Sequence, residues 1–236
     1  MNDIDLATEF SDQTILEITG IEYLVKAKIL DINHIDKWLF ISRNNTDISI
    51  RVSDKNLIIK RRLDLEHKII HNELLIIRNE NLKYKGIATK ILSCQIFHSY
   101  QKRINKIQLY AAGDKNSEKY NGYITWGKLG FTIEEIEGFE NYNLKFTKLL
   151  KSHGRQEKTL FELLTTEEGT KFWCEFGFAW FGEFNLTNNS VNWENIIYYC
   201  IRKSNFDNIT KNQILNSAIL FGTHYTWVKY FANFLK

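Results

Sequence analysis

Proline is absent from all 236 residues, against a usual share of about 5%, and cysteine occurs only three times. In a chain so rich in Ile, Asn and Lys, the missing proline reads as compositional drift and excludes no fold. Cys94, Cys174 and Cys200 have no metal-type spacing, and in a monomer one of them must stay unpaired. A disulfide scaffold is thereby excluded, and reduced thiols in a cytoplasmic protein are the economical reading. Charge of one sign is scarce too: 31 Lys and Arg against 28 Asp and Glu leave +3, too little for the basic face of a nucleic-acid binder. No run reaches about 18 continuous apolar residues. The opening MNDIDLATEFSDQ carries acids where a signal peptide needs a basic start and an apolar stretch, so neither a membrane span nor export is expected. GxSxG, Walker A, HExxH and CxxC signatures are all missing.

What is present is a folded composition, 44% hydrophobic with 25% charged residues, which excludes wholesale disorder. From about 14 to 78 the text reads as short β-rich runs: TILEIT (14–19), EYLVKAKILDI (22–32), KWLFIS (37–42), DISIRV (47–52), NLIIKRR (56–62) and HKIIHNELLIIR (67–78). Turn-like clusters at Arg43-Asn44-Asn45-Thr46 and Ser53-Asp54-Lys55-Asn56 predict a meander. Helical spacing follows from Gly86 towards Tyr100, then a strand at 105–113, a helix around 118–129 and a strand at 131–137. Beyond about 140 the texture is helical. Thr165-Thr166-Glu167-Glu168 has capping-box spacing with Thr165 as the cap, and helices are expected through Phe172 and Trp173, over 191–203 and over 211–235.

The stretch LLIIR-NENLKYK-GIATKIL is strand, loop, glycine, helix. Backbone amides at 84–88 lack intrahelical partners there and face outward at the positive end of the helix dipole. Gly86 permits close approach, Ala88 keeps the first turn small, and Lys83, Lys85 and Lys90 add cationic charge, so a phosphate or pyrophosphate is the expected guest. The bland alternative is a turn glycine beside a solvated basic face.

The run Arg78-Asn79-Glu80-Asn81-Leu82-Lys83-Tyr84-Lys85-Gly86-Ile87-Ala88 resembles motif A of the GNAT superfamily of N-acetyltransferases: a basic or Gln residue, two residues, Gly, one residue, then Gly or Ala. Downstream, Trp126-Gly127-Lys128-Leu129-Gly130-Phe131 is similar to the family's motif B ending, after a helix and before a strand. The resemblance covers about 68–137. It implies an α/β (α+β) fold, a mostly antiparallel mixed sheet flanked by helices: 1–140 as the acyl-CoA-binding domain and 141–236 as an α-helical extension packed on it. It also implies acetyl-CoA as co-substrate, held by Arg78, Lys83, Tyr84, Lys85, Gly86, Ile87 and Ala88, and an amine-bearing acceptor that is a small molecule, a protein or an RNA. Glu80 and Tyr84 stand where the family usually has Pro and Gly. Asn116 resembles an Asn that contacts the cofactor in some members, although Asp114-Lys115-Asn116 also reads as a plain turn.

The family's usual general acid is a Tyr that protonates the leaving thiolate, and its place here is Trp126, whose indole cannot donate a proton at useful pH. Tyr123, three residues earlier, is the candidate acid, with Tyr120 one turn further back; each also has a plain role as packing. Acceptor deprotonation needs a base. His71 and Glu73, on one face of the strand that ends at Arg78, are the candidates, against an edge His and an ion-pairing Glu. Cys94 and His98 have metal-capable spacing on one helix, but without a second pair they read as core. The aromatic run 172–193 is either a stacking platform or core, and Glu134, Glu135, Glu137 and Glu140 are either an attractor for a cationic acceptor or a solvated edge. The expected activity is acetyl transfer to an amine by direct attack; the rival from another class is a GNAT-shaped binding module without catalysis.

Overall fold

Ser11 turns the first expected strand into a helix. In the computed structural model, which describes residues 10–203 apart from 84, 118, 119, 137, 188 and 189, its hydroxyl accepts the amide of Thr14 at 3.2 Å. Asp12 sits in the first turn, where the helix dipole favours an acid, and Ile15 and Ile18, three apart, are wholly buried. The run 14–19 is therefore α1 (Asp12–Ile18). Gly20, left-handed at φ 74°, breaks the chain into α2 (Ile21–Lys26), where Ile21 and Leu24 bury at the same three-residue step. Burial on a helical stripe outweighs the β-rich text of 22–32. A 3-10 turn (Ile32–His34) and the short α3 (Ile35–Trp38) then replace the start of the third expected strand.

The meander itself begins at β1 (Leu39–Arg43) and continues through β2 (Asp47–Ser53), β3 (Leu57–Asp64) and β4 (Ile69–Ile77), each pairing antiparallel with the next. Both turn clusters act as read. Asn44 Oδ1 accepts the amides of Thr46 (2.9 Å) and Asp47 (2.6 Å), and Asp54 Oδ1 accepts that of Leu57 (3.2 Å). Helix α4 (Ile87–Gln101) connects β4 to β5 (Lys106–Ala111), the crossover length that a parallel neighbour requires. Among the described residues seven strands form a mostly antiparallel mixed sheet in the order β1-β2-β3-β4-β5-β7-β6.

Two compact units divide between Ile107 and Gln108, inside β5, not near residue 140. In the first, α1 and α2 pack on α4, where Ser99 Oγ donates to the carbonyl of Ile18 at 3.1 Å. A reciprocal amide pair, Asn72 on β4 and Gln95 on α4 at 3.0 and 2.9 Å, ties that helix to the sheet.

The second unit holds α5 (Gly122–Lys128), β6 (Thr132–Ile133), α6 (Tyr142–Ser152), α7 (Leu160–Leu164), α8 (Glu167–Phe176), β7 (Trp180–Asn185) and α9 (Val191–Lys203). Three expectations need correction here. The strand at 131–137 is two residues long. Thr166, not Thr165, caps α8, accepting the amide of Gly169 at 3.0 Å, because α7 runs to Leu164 and draws Thr165 into its own C-cap. The stretch beyond 140 is also not all helical: Trp180, Gly182 and Phe184 bury on one face of β7, which pairs antiparallel with β6. The aromatics of 172–193 are largely core, with Trp173, Trp180, Phe184 and Trp193 at most 2% exposed. The expected helix at 211–235 lies outside the described residues. Among those residues no helix is long and apolar enough to cross a membrane.

Candidate functional site

An inward-facing arginine shapes the strand that leads to the basic loop. Along β3, Leu57, Ile59, Arg61 and Leu63 alternate inward, and Arg61 is as buried as its apolar neighbours. Opposite it the register slips: Lys60 faces Leu74, Arg61 faces Asn72, and Glu73 has no partner across the ladder. This is a β-bulge, which leaves the extra residue unpaired and bends the strand. One guanidinium nitrogen of Arg61 donates to the carbonyls of Lys60 (3.1 Å) and Leu74 (3.0 Å), holding the bulge from behind. Burial pulls the Arg61 pKa down to about 9, which still leaves it charged at neutral pH, and its Nε has no partner among the described residues.

Beyond β4 the chain makes a 3-10 turn (Glu80–Leu82), with Asn79 Oδ1 accepting the amide of Asn81 at 2.9 Å. Gly86 then takes the left-handed conformation (φ 71°) and starts α4, whose first bond runs from the Lys90 amide to the Gly86 carbonyl at 3.0 Å. No side chain caps this helix and no acid stands in its first turn. Among the described residues no acceptor stands against the amides of Ile87, Ala88 and Thr89, the first-turn donors of this helix. A Cβ built on Gly86 meets nothing within 4 Å, so the space above is open. Of the expected phosphate ligands, Lys85 and Gly86 are exposed, Ile87 is buried and Ala88 half-buried. Lys83 pairs with Glu80 at 2.6 Å, Lys90 lies 5.8 Å from the Tyr23 ring centre, and exposed Arg78 reaches the Asp54 carbonyl at 3.4 Å. Tyr84 lies outside the described residues.

His71 and Glu73 both belong to β4, and both face Arg62 of β3. Arg62 is the cross-strand partner of His71, and its Nε lies 3.7 Å from Glu73. Burial first, and Arg62 second, lower the His71 pKa, so its imidazole is neutral at pH 7 and able to accept a proton.

The other site candidates belong to the second unit. Tyr123 on α5 is 4% exposed; its hydroxyl donates to the Cys174 carbonyl at 3.2 Å, and desolvation raises its pKa. Its own carbonyl accepts both the Trp173 and Trp180 indoles, at 2.9 and 3.0 Å, which makes it a hub of this core. Trp126 packs edge-on to Phe131, while Tyr120 is exposed. Asn116 donates its amide to Asp114 Oδ1 at 2.8 Å in an exposed turn, the plain reading of that segment. The segment Trp126–Phe131 runs from the last turn of α5 to the residue before β6. Its Gly130 is where α9 approaches, since an added Cβ would stand 2.9 Å from the Asn192 carbonyl oxygen.

The bulge and Arg61 escaped the sequence reading, although a charged residue at an inward position of an alternating strand was the available signal. Comparison with known proteins finds no match: no protein family, no curated protein and no solved structure resembles this chain closely enough to be assigned.

Proposed function

We propose that this chain is an acyltransferase of the GNAT type, moving an acetyl (acyl) group from acetyl-CoA to an amine. The observation that carries the reading is the start of α4: an acid-free helix N-terminus without a side-chain cap, on a left-handed glycine, in open space, between lysines and one short loop after a bulged strand. Amides of the first turn would hold the CoA pyrophosphate, with Lys85 and Lys83 adding charge, each such contact worth about 1.5–3 kcal/mol. An amide freed at the β4 bulge would face the thioester oxygen and stabilise the oxyanion. The acceptor nitrogen attacks the thioester carbon, its proton passes to neutral His71 or to Glu73, and the C–S bond breaks as the thiolate leaves and is protonated.

One observation favours the second reading, a binding module without catalysis. The phenol nearest to the place of the missing acid, Tyr123, is buried and bonded to a backbone carbonyl. Exposed Tyr120 is then the alternative donor. Thermal unfolding with and without acetyl-CoA tests the cofactor half of the proposal: a saturable rise in Tm with acetyl-CoA and CoA, and none with adenine alone, is expected, whereas no rise with any of them sinks it. A screen of amines, peptides and RNA for acetyl transfer then separates the enzyme from the module.

A further inference from the structure

Gly20 sets α2 against α4, and this contact brings a third donor to a pair that the sequence leaves incomplete. Cys94 and His98 lie one turn apart on α4, and Glu22 comes from the first turn of α2. Glu22 Oε2 is 3.2 Å from His98 Nε2 and 4.0 Å from Cys94 Sγ, and the three donor atoms all lie within 4.8 Å of one another. A four-coordinate zinc, with bonds of about 2.0–2.3 Å, spaces its ligands about 3.3–3.7 Å apart, so only small side-chain adjustments separate this arrangement from a coordinated one.

We propose that Glu22, Cys94 and His98 form a zinc site that clips α2 to α4, with the fourth position open to solvent. Sulfur, imidazole nitrogen and carboxylate oxygen together are a borderline-soft set suited to Zn²⁺ and poorly matched to Mg²⁺ or Ca²⁺. The Cys94 thiol is buried, whereas the Glu22 and His98 side chains are 13% and 20% exposed, so an ion reaches the site from their side. On binding, the thiol proton passes to solvent and bonds form from sulfur, nitrogen and oxygen to the metal; nothing is oxidised. Lys26 competes for the same carboxylate, holding Glu22 Oε1 at 2.7 Å, but its side chain is 68% exposed and can swing into water. The plain alternative, a core thiol beside a His–Glu ion pair, does not require thiol and imidazole to converge on one carboxylate oxygen. The site is two to three turns into α4, about 15 Å along the axis from Gly86 to the middle of it, and it stands independently of the acyl-transfer reading.

The test uses the full chain freed of metal by a chelator, then titrated with Co²⁺ and afterwards with Zn²⁺. One equivalent of Co²⁺ should give the sulfur-to-metal charge-transfer band in the near ultraviolet and tetrahedral visible bands, both displaced by Zn²⁺. Zn²⁺ should raise the Tm. Cys94→Ala should lose the charge-transfer band, Glu22→Gln and His98→Gln should weaken binding by on the order of tenfold or more, and Lys26→Gln should tighten it. Glu22→Gln keeps a hydrogen-bonding side chain of the same shape, so it reports on the site even if Cys94→Ala unfolds. A wild-type chain without the thiolate band overturns the proposal. So does a band that survives Cys94→Ala, which would put the metal on Cys174 or Cys200, or affinity unchanged in both Glu22→Gln and His98→Gln.

Discussion

Gly20 and Gly86 share one backbone conformation but have different surroundings, so alanine at each position separates backbone strain from steric conflict. Both are left-handed, at φ 74° and 71°. An alanine Cβ at residue 86 meets nothing within 4 Å, whereas at residue 20 it would stand 2.2 Å from the Ile91 carbonyl oxygen of α4 and 3.0 Å from its Cγ2. Gly86→Ala should therefore cost only the left-handed penalty, about 1–2 kcal/mol. Gly20→Ala adds overpacking against a helix backbone that cannot rotate away, for a total of about 2–5 kcal/mol. Gly86→Asn should recover much of the loss, since Asn tolerates this region. Urea unfolding followed by tryptophan fluorescence, read as midpoint shifts at constant slope, measures all three variants. Equal losses at the two glycines, or a neutral Gly86→Ala, would refute the reasoning. The small cost at residue 86 also means that ligand affinity lost in Gly86→Ala reports on the loop rather than on unfolding.

Three further outcomes are expected. Asn72→Ala strands the buried Gln95 amide and should cost about 1–3 kcal/mol; a double-mutant cycle with Gln95→Ala should show coupling, and additive losses would contradict the pairing. Tyr123→Phe removes the bond to Cys174 and about 1 kcal/mol of stability; if Tyr123 is the acid, turnover on an identified amine falls on the order of 10²-fold with acetyl-CoA affinity unchanged, and full turnover passes the role to Tyr120 or a water. The lowered His71 pKa means that on acidification the unfolded chain takes up this proton first, near 6.5, so stability from this group is present above that value and is lost below it. His71→Asn should accordingly lose less stability than wild type between about pH 7.5 and 5.5 in parallel urea titrations, and an equal loss would place the shift elsewhere.

How far the sequence could be read depended on whether the deciding contact was local. The strands β2 to β4 and helix α4 were legible because their alternation, turn amides and glycine start are local. TILEIT was misread because its alternation competes with a single cap, Ser11, whose bond to Thr14 decides the helix. The strand β7 was hidden by its own composition: Trp180, Gly182 and Phe184 alternate strictly, but the surrounding aromatic density suggested packed helices. Near the candidate site, the glycine start of α4 and the placing of His71 and Glu73 on one strand were visible. The bulge at Glu73 was not, since it arises from a register slip fixed by Arg61 across the sheet. Glu22 could not have been joined to Cys94 and His98, because only the packing of α2 on α4 brings them together.

The most direct measurement is a calorimetric titration of the full chain with acetyl-CoA, run beside Gly86→Glu. A carboxylate placed at the start of α4 puts like charge against a pyrophosphate, and since a Cβ at residue 86 meets nothing within 4 Å, the substitution carries the left-handed backbone cost of about 1–2 kcal/mol but no clash at Cβ. The expected result is one acetyl-CoA bound per wild-type chain and no measurable binding to Gly86→Glu, with Lys85→Ala weakened by about 1–3 kcal/mol. No heat with the wild type, or undiminished affinity in Gly86→Glu, would contradict the central claim.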